Sequence, residues 1–333
     1  MRWFAYLTWL GALVAGGWLT GCSGSLTPTQ AVNPAARSVR QAASLPAGVR
    51  HLFLSDSVFD LVTIFGRGSS SRSISGFEES QGITTDRHGN LYVANTDAND
   101  VEVFASPYRR QAVATLATPG QWPVDVAAAK SGTVAAIIIC QASGTRCGAP
   151  GSVEFFANEH AKRPCASVSG GTKISRLLWG SFDAAGTLYV AGVENYTTAM
   201  IGAIAGGCHA NSLKILQPSV SIAFAAGIQV DPQGRIAIVN SLGFSGAPQI
   251  DVFAPAKRGS RNLKLLSQNE LLDSSVVSSF ALSKDGAYLF TAEPHYSLAY
   301  PYPTGGSSIA QFVPPPSGGD LIEGVAVTPA ELP

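Results

Sequence analysis

Gly82–Pro107 reads GITTDRHGNLYVANTDANDVEVFASP, and the fold follows from how this stretch is parsed. Gly82–Thr85, Asn90–Ala94 and Val101–Phe104 are short, β-branched or aromatic, and bounded by turn residues, as strands are. Between the first two lies Asp86-Arg87-His88-Gly89. There the Asp carboxylate can accept backbone N–H groups just ahead of it, and Gly can take positive φ. Such a unit cannot bury both of its faces alone, so it has to stack on neighbours.

The unit recurs. Gly132, Gly186, Gly234 and Gly286 close the turns Ala129–Gly132, Asp183–Gly186, Asp231–Gly234 and Ser283–Gly286. A period of about 40–50 residues suits four-stranded blades arranged in a ring. The third-strand ending Val103-Phe104-Ala105 returns as Phe155-Phe156-Ala157, Val252-Phe253-Ala254 and, more loosely, Ala299-Tyr300-Pro301. Fourth strands fit at Ala112–Ala117, Leu213–Gln217, Asn262–Ser267 and Ile309–Val313.

The two ends complete the count. His51–Asp56 and Leu61–Phe65 look like second and third strands with no first strand before them. Leu321–Pro329 looks like a first strand with no second strand after it. One blade shared between the ends, 51–77 with 321–329, closes the ring and leaves no open sheet edge. The other blades are 79–118, 121–170, 173–217, 221–268 and 276–314. The expected class is all-β, a six-bladed β-propeller over residues 49–333. The repeat, Gly-Ile followed by Asp-x-x-Gly-x-Leu-Tyr-Val-Ala, resembles NHL-type and TolB-like bacterial propellers. That resemblance implies a fold and leaves function open, because function lives in sites grafted on folds.

Composition agrees. Of 333 residues 46% are hydrophobic and 13% charged, with 35 glycines. Lys plus Arg and Asp plus Glu are 22 each, and no basic stripe is visible. A nucleic-acid surface is therefore not expected.

Residues 1–22 read as a signal peptide, with Arg2 ahead of the uncharged apolar run Trp3–Leu19. Leu19-Thr20-Gly21-Cys22 resembles the bacterial lipobox, which implies cleavage before Cys22 and acylation of that residue. Membrane partnership would run through this anchor, and the same resemblance implies, from Ser23 after the Cys, the outer membrane. Residues 23–48 are small, polar and Pro-punctuated, as a flexible tether is.

Cys140, Cys147, Cys165 and Cys208 remain. In an exported chain an even set points to two disulfides. Cys140–Cys147 would staple one hairpin, at about 2–3 kcal/mol in the chain-entropy picture. By elimination Cys165–Cys208 would link adjacent blades at their turn-side rims. Buried free thiols are the alternative, and zinc a poor third, since no C-x-x-C occurs and only His209 is near.

No P-loop, G-x-S-x-G or H-E-x-x-H is present. The expected binding face carries the loops into each first strand and between second and third strands. Its candidates are Asn95, Asp97, Asp100, Trp122, Arg176, Glu194, Tyr196, Asn240, His295, Tyr296 and Glu323. Asn95 and Asn240 can equally shape their loops, Trp122 can be a core wedge, and His295 a plain loop residue. Glu323-Gly324 with Asn95 and Asn240 resembles the metal set of gluconolactonase-like hydrolases, but Val277-Ser278-Ser279-Phe280 supplies no Asp. Streptogramin-lyase-like propellers use histidines on one face, and here His295 stands apart from His88 and His209. The sequence thus leads to a monomeric, non-catalytic binding module without cofactor or metal. Its ligand would be a glycan, peptide or envelope protein, and a gluconolactonase-like hydrolase or lyase is the alternative.

Replacing Cys22 tests the anchor. Cys22→Ala is expected to leave the protein unprocessed or soluble, read by detergent-phase partitioning and by the mass of the wild-type N-terminus. Unchanged partitioning, with no acyl mass on the wild type, would remove the anchor from the account.

Overall fold

The computed structural model describes residues 44–68, 71–143, 146–195, 198–241, 247–257, 259–315 and 321–329. The expected leader, Cys22 and Tyr196 lie outside them. Blade 1 contains β1 (Val49–Asp56), β2 (Leu61–Phe65) and β3 (Ser71–Ser75). Blade 2 is β4 (Ser80–Thr85), β5 (Leu91–Asn95), β6 (Asp100–Phe104) and β7 (Ala114–Ala117). Blade 3 is β8 (Gln121–Ala128), β9 (Val134–Ser143), β10 (Arg146–Phe156) and β11 (Ala166–Ser169). Blade 4 is β12 (Arg176–Phe182), β13 (Leu188–Glu194), β14 (Thr198–Ile204) and β15 (Lys214–Pro218). Next come β16 (Ala225–Val230), β17 (Ile236–Asn240), β18 (Gln249–Phe253), β19 (Asn262–Leu263) and β20 (Leu265–Glu270). Blade 6 is β21 (Ser279–Leu282), β22 (Tyr288–Ala292), β23 (Ser297–Pro301) and β24 (Ala310–Phe312), and the last strand is β25 (Ile322–Pro329).

β25 pairs antiparallel with β1, Leu54 opposite Val325 and Leu52 opposite Val327, so the C-terminal strand supplies the inner strand of blade 1. The ring closes as the unpaired ends require. One strand departs from expectation. The fourth strand of blade 5 is β20, whereas Asn262–Leu263 leaves that blade to pair in parallel with β15 of blade 4. A single run at Asn262–Ser267 therefore divides between two sheets.

The repeat positions behave as their residues dictate. Gly89, Gly132, Gly186, Gly234 and Gly286 all have φ between 67° and 97°, and each donates its N–H to the residue three before it. Asp86, Asp183 and Asp231 each accept two backbone N–H groups of their turn at 2.8–2.9 Å. These turns leave the inner strands on the face opposite the candidate mouth.

Strand periodicity then builds the core. Within β1, Leu52 and Leu54 face blade 6, while Phe53 faces blade 2. Within β5, Leu91 and Val93 face blade 1, while Tyr92 faces blade 3. The apolar core is accordingly divided into six clusters among the described residues, one at each contact between neighbouring blades. Leu45 joins the cluster between blades 6 and 1, so the packed domain includes the last residues before β1.

Each inner strand has one edge without a strand neighbour, and side chains cross between blades to satisfy it. Thr85 Oγ1 donates to Val327 O at 2.7 Å, and Thr96 Oγ1 to Pro123 O at 2.7 Å. Gly180 N donates to Asp125 Oδ2 at 2.9 Å, Val230 N to Ser181 Oγ at 3.0 Å, and Gln229 Nε2 to Phe280 O at 3.4 Å. The axis is crowded. A Cβ at Gly324 would come within 2.5 Å of Gln81 O and Ser55 Oγ, and one at Gly82 would meet Asp125 and the Val124 carbonyl.

Both disulfides form as expected, Cys140–Cys147 with Cα atoms 5.4 Å apart and Cys165–Cys208 at 5.1 Å. Cys147 lies inside β10 and not in a loop, because β9 and β10 run longer than their apolar cores.

Candidate functional site

The mouth face is built where the chain leads into each inner strand and turns from second to third strand. Asn95 and Asn240 end the second strands of blades 2 and 5 and are 3% and 1% exposed. Their side-chain oxygens accept the N–H of Glu78 (2.6 Å) and of Ala223 (2.9 Å), in each case seventeen residues earlier. Asn240 Nδ2 donates to Ser221 O and to Asp251 Oδ2, and Asn95 Nδ2 approaches Glu102 Oε1 at 3.5 Å. Both carboxamides are spent on holding the lead-in loop against its blade.

The other candidates are spread around the ring. Trp122 is the second residue of β8, opposite Cys140, and is 8% exposed. Arg176 opens β12 and donates Nη1 to Ser175 O at 2.8 Å. Glu194 forms an ion pair with Lys173 at 3.6 Å. Asp97 and His295 are exposed on the second-to-third-strand turns of blades 2 and 6, and Glu323 is half-buried at the start of β25.

Blades 1 and 2 bring together a set of acids that the sequence reading only partly named. Asp56, Asp60, Glu78, Glu79, Asp97 and Glu323 share one wall of the mouth. Glu79 N donates to Asp60 Oδ1 at 2.7 Å, and Gln81 Nε2 donates to Glu79 Oε1 at 3.0 Å. Asp97 N donates to Glu78 O at 3.0 Å, which draws the turn of β5–β6 onto the lead-in of β4. Asp56 Oδ1 accepts Val58 N and Phe59 N, each at 3.0 Å, and shapes the β1–β2 turn. That turn leaves Val58 and Phe59 40% and 44% exposed on the rim. Glu79 and Asp60 hold left-handed backbone, φ 65° and 53°.

The electrostatics follow from this crowding. Burial, then the charges of Asp97, Glu323 and Asp60, push Glu79 up to about 8 against the opposing Gln81 hydrogen bond. Burial and then Asp56 push Glu323 up to about 8. Both carboxyls are thus pushed toward their protonated forms near neutral pH, Glu79 in part by the charge of Glu323. Asp125, on the inner strand of the next blade, is raised by burial to about 7 even though it accepts the Gly180 and Val126 amides.

Glu79 was missed by a reading that began the second blade at residue 79 but its first strand only at Gly82. The signal was present, since Gln81-Gly82 stands in β4 where Glu323-Gly324 stands in β25, and Glu78-Glu79 lies just before Ser80 ahead of it.

The set implied by the gluconolactonase-like resemblance does not assemble. Its two asparagines are engaged inside their blades and β21 begins with Ser279. Among the described residues no group of three His, Cys, Asp or Glu side chains is placed to hold an ion. These residues do not fit a divalent cation bound in that manner.

The sequence matches no family model and no curated protein. The fold, in contrast, is shared with solved structures. A Bacteroides caccae protein of unknown function superposes with a TM-score of 0.58 at 11% identity, over 85% of this chain and all of that one. A gluconolactonase from Xanthomonas campestris gives 0.54 at 17% identity, over 76% of this chain and 84% of that one. Virginiamycin B lyase from Staphylococcus aureus gives 0.51 at 10% identity, over 72% and 73%. The chain is a six-bladed β-propeller similar in fold to these proteins, and identities this low establish the fold alone.

The acid pair sets a pH dependence. A carboxyl raised from 4.5 to about 8 binds its proton more tightly in the native state than in the unfolded chain. Its contribution therefore falls as pH rises through that window. Thermal melts are expected to drop between those values, and Glu79→Gln or Glu323→Gln should flatten the slope. Slopes identical to wild type in both variants would place the titrating groups elsewhere.

Proposed function

We propose that this chain is an envelope-anchored β-propeller that binds, without turning over, a basic peptide segment at its mouth. The observation that carries the reading is the wall of carboxyls from blades 1 and 2, with Glu79 and Glu323 at its centre. A cation brought against carboxyls whose hold on their protons is raised displaces those protons and gains a charge-assisted contact. The exposed Val58 and Phe59 beside them offer apolar contact to the same ligand. Steering over long range would be weak, because the chain has as many acids as bases. Anchoring through an acylated Cys22, with 23–48 as tether, is supported by the lipobox residues and gives the ring its reach from the outer membrane.

A hydrolase or lyase reading has two points in its favour: Glu323-Gly324 at the mouth, and a fold shared with a gluconolactonase and a lyase. The donor set described above weighs against it.

Calorimetric titration with oligolysine, in two buffers of different ionisation enthalpy, separates the readings. Salt-sensitive binding with proton release near pH 7 is expected, weakened at least about tenfold in a Glu79→Gln, Glu323→Gln double variant. Absence of binding, or binding untouched by both substitutions, would end the proposal. Tight binding of calcium, zinc or manganese lost in Glu323→Gln would favour the metal-dependent enzyme.

A further inference from the structure

Glu293 follows β22 at the place that Asn95 and Asn240 occupy in blades 2 and 5. The pairing register shows it: Leu289 lies opposite Tyr300, as Leu91 lies opposite Phe104 and Ile236 opposite Phe253. Counting four residues on from Leu289, Leu91 and Ile236 gives Glu293, Asn95 and Asn240. The backbone N–H groups that approach the Glu293 carboxyl are those of Ser275 and Val276. Val276 is again the residue seventeen earlier.

The surroundings differ in one respect. In blades 2 and 5 the asparagine also faces a third-strand carboxylate, Glu102 or Asp251. In blade 6 Leu298 takes that position, opposite Thr291. Glu293 is 0% exposed. Its Oε1 accepts Ser274 Oγ at 2.5 Å and Thr291 Oγ1 at 3.2 Å. Ser274 Oγ and the Tyr300 hydroxyl lie 2.8 Å apart. Oε2 has no hydrogen-bond partner of normal geometry. The titratable groups that meet the charge of Glu293 are Tyr296 from its own turn and Tyr300 from β23, and His295 stands exposed on that turn. A carboxyl this enclosed, with one oxygen short of normal hydrogen-bond geometry, is less costly as a neutral acid than as an anion.

We propose that Glu293 in its neutral, protonated form is the latch that holds the blade 6 lead-in, 271–278, against the mouth turn, 293–296, and that its ionisation releases both. The neutral acid accepts the lead-in amides of blade 6 as the carboxamide oxygen does in blades 2 and 5. Burial raises the group to about 7, against hydrogen bonds from Ser274, Thr291 and the two amides, so release falls near neutral pH. The released turn matters to the mouth. It carries His295 and Tyr296, and Pro294 O accepts the N–H of Ile322, which precedes Glu323.

Hydrogen exchange of the full chain, without ligand and corrected for intrinsic rates, tests this at about pH 5.5 and about pH 8.5. Peptides covering 271–278 and 293–296 should exchange at least about tenfold faster at the higher pH. The matching peptides of blade 5, around 221–226, should not change. Glu293→Gln should keep both blade 6 segments protected at both values. Ser274→Ala removes a donor that favours the ionised form, so it should move the opening to higher pH. Equal wild-type protection at both values would overturn the proposal. So would opening in Glu293→Gln at both values, which would show the carboxylate to be the holding form, or an opening pH unmoved by Ser274→Ala.

Discussion

Every blade of this ring has an inner strand with one edge that no strand covers, and the structure is organised to satisfy that edge. A four-stranded sheet alone would expose it. Six sheets around an axis let each inner strand borrow from its neighbour: Thr85 reaches Val327, Gly180 reaches Asp125, and Val230 reaches Ser181. Such a scheme tolerates no gap. A missing inner strand in blade 1 would open β1 on one side and uncover two apolar clusters, those shared with blades 6 and 2. Hence the pairing of β25 with β1 holds the ring together, and Gly324 and Gly82 are glycines because inner strands meet there with no space for a Cβ.

The same crowding produces the chemistry of the mouth. Loops that lead into closely spaced inner strands bring their side chains together whatever their charge. On the side of blades 1 and 2 those side chains are carboxyls, so protons stay on Glu79 and Glu323. The zero net charge of the chain conceals this local excess. In blade 6 a carboxyl again stands at the start of the turn, fully enclosed, and there burial comes first in pushing it up.

The fold was legible because its signal is local and repeated. A turn glycine with positive φ, an Asp that accepts two N–H groups, and an alternating second strand each have one physical reading, and they recur around the ring. Strand ends were less legible. Asn262 and Leu263 look like the start of a fourth strand, and only the neighbouring blade shows that they belong to β15. Of the site, the sequence showed Glu323 and Asp97 but passed over Glu79, whose importance arises when the ring brings 78–79 beside 323. Glu293 was passed over for another reason. The Ser283–Gly286 turn is one residue longer before its strand, Ser283 N reaching Tyr288 O where Asp86 N reaches Asn90 O, so the repeat slips out of register there.

Thermal unfolding of a chain lacking residues 321–333 tests ring closure most directly. β25 buries Ile322, Val325, Ala326 and Val327. Their loss should cost on the order of 5–10 kcal/mol, comparable to the whole stability of a domain. The truncated chain is therefore expected to show no cooperative native transition. A transition at the temperature of the intact chain would contradict closure by the C-terminal strand.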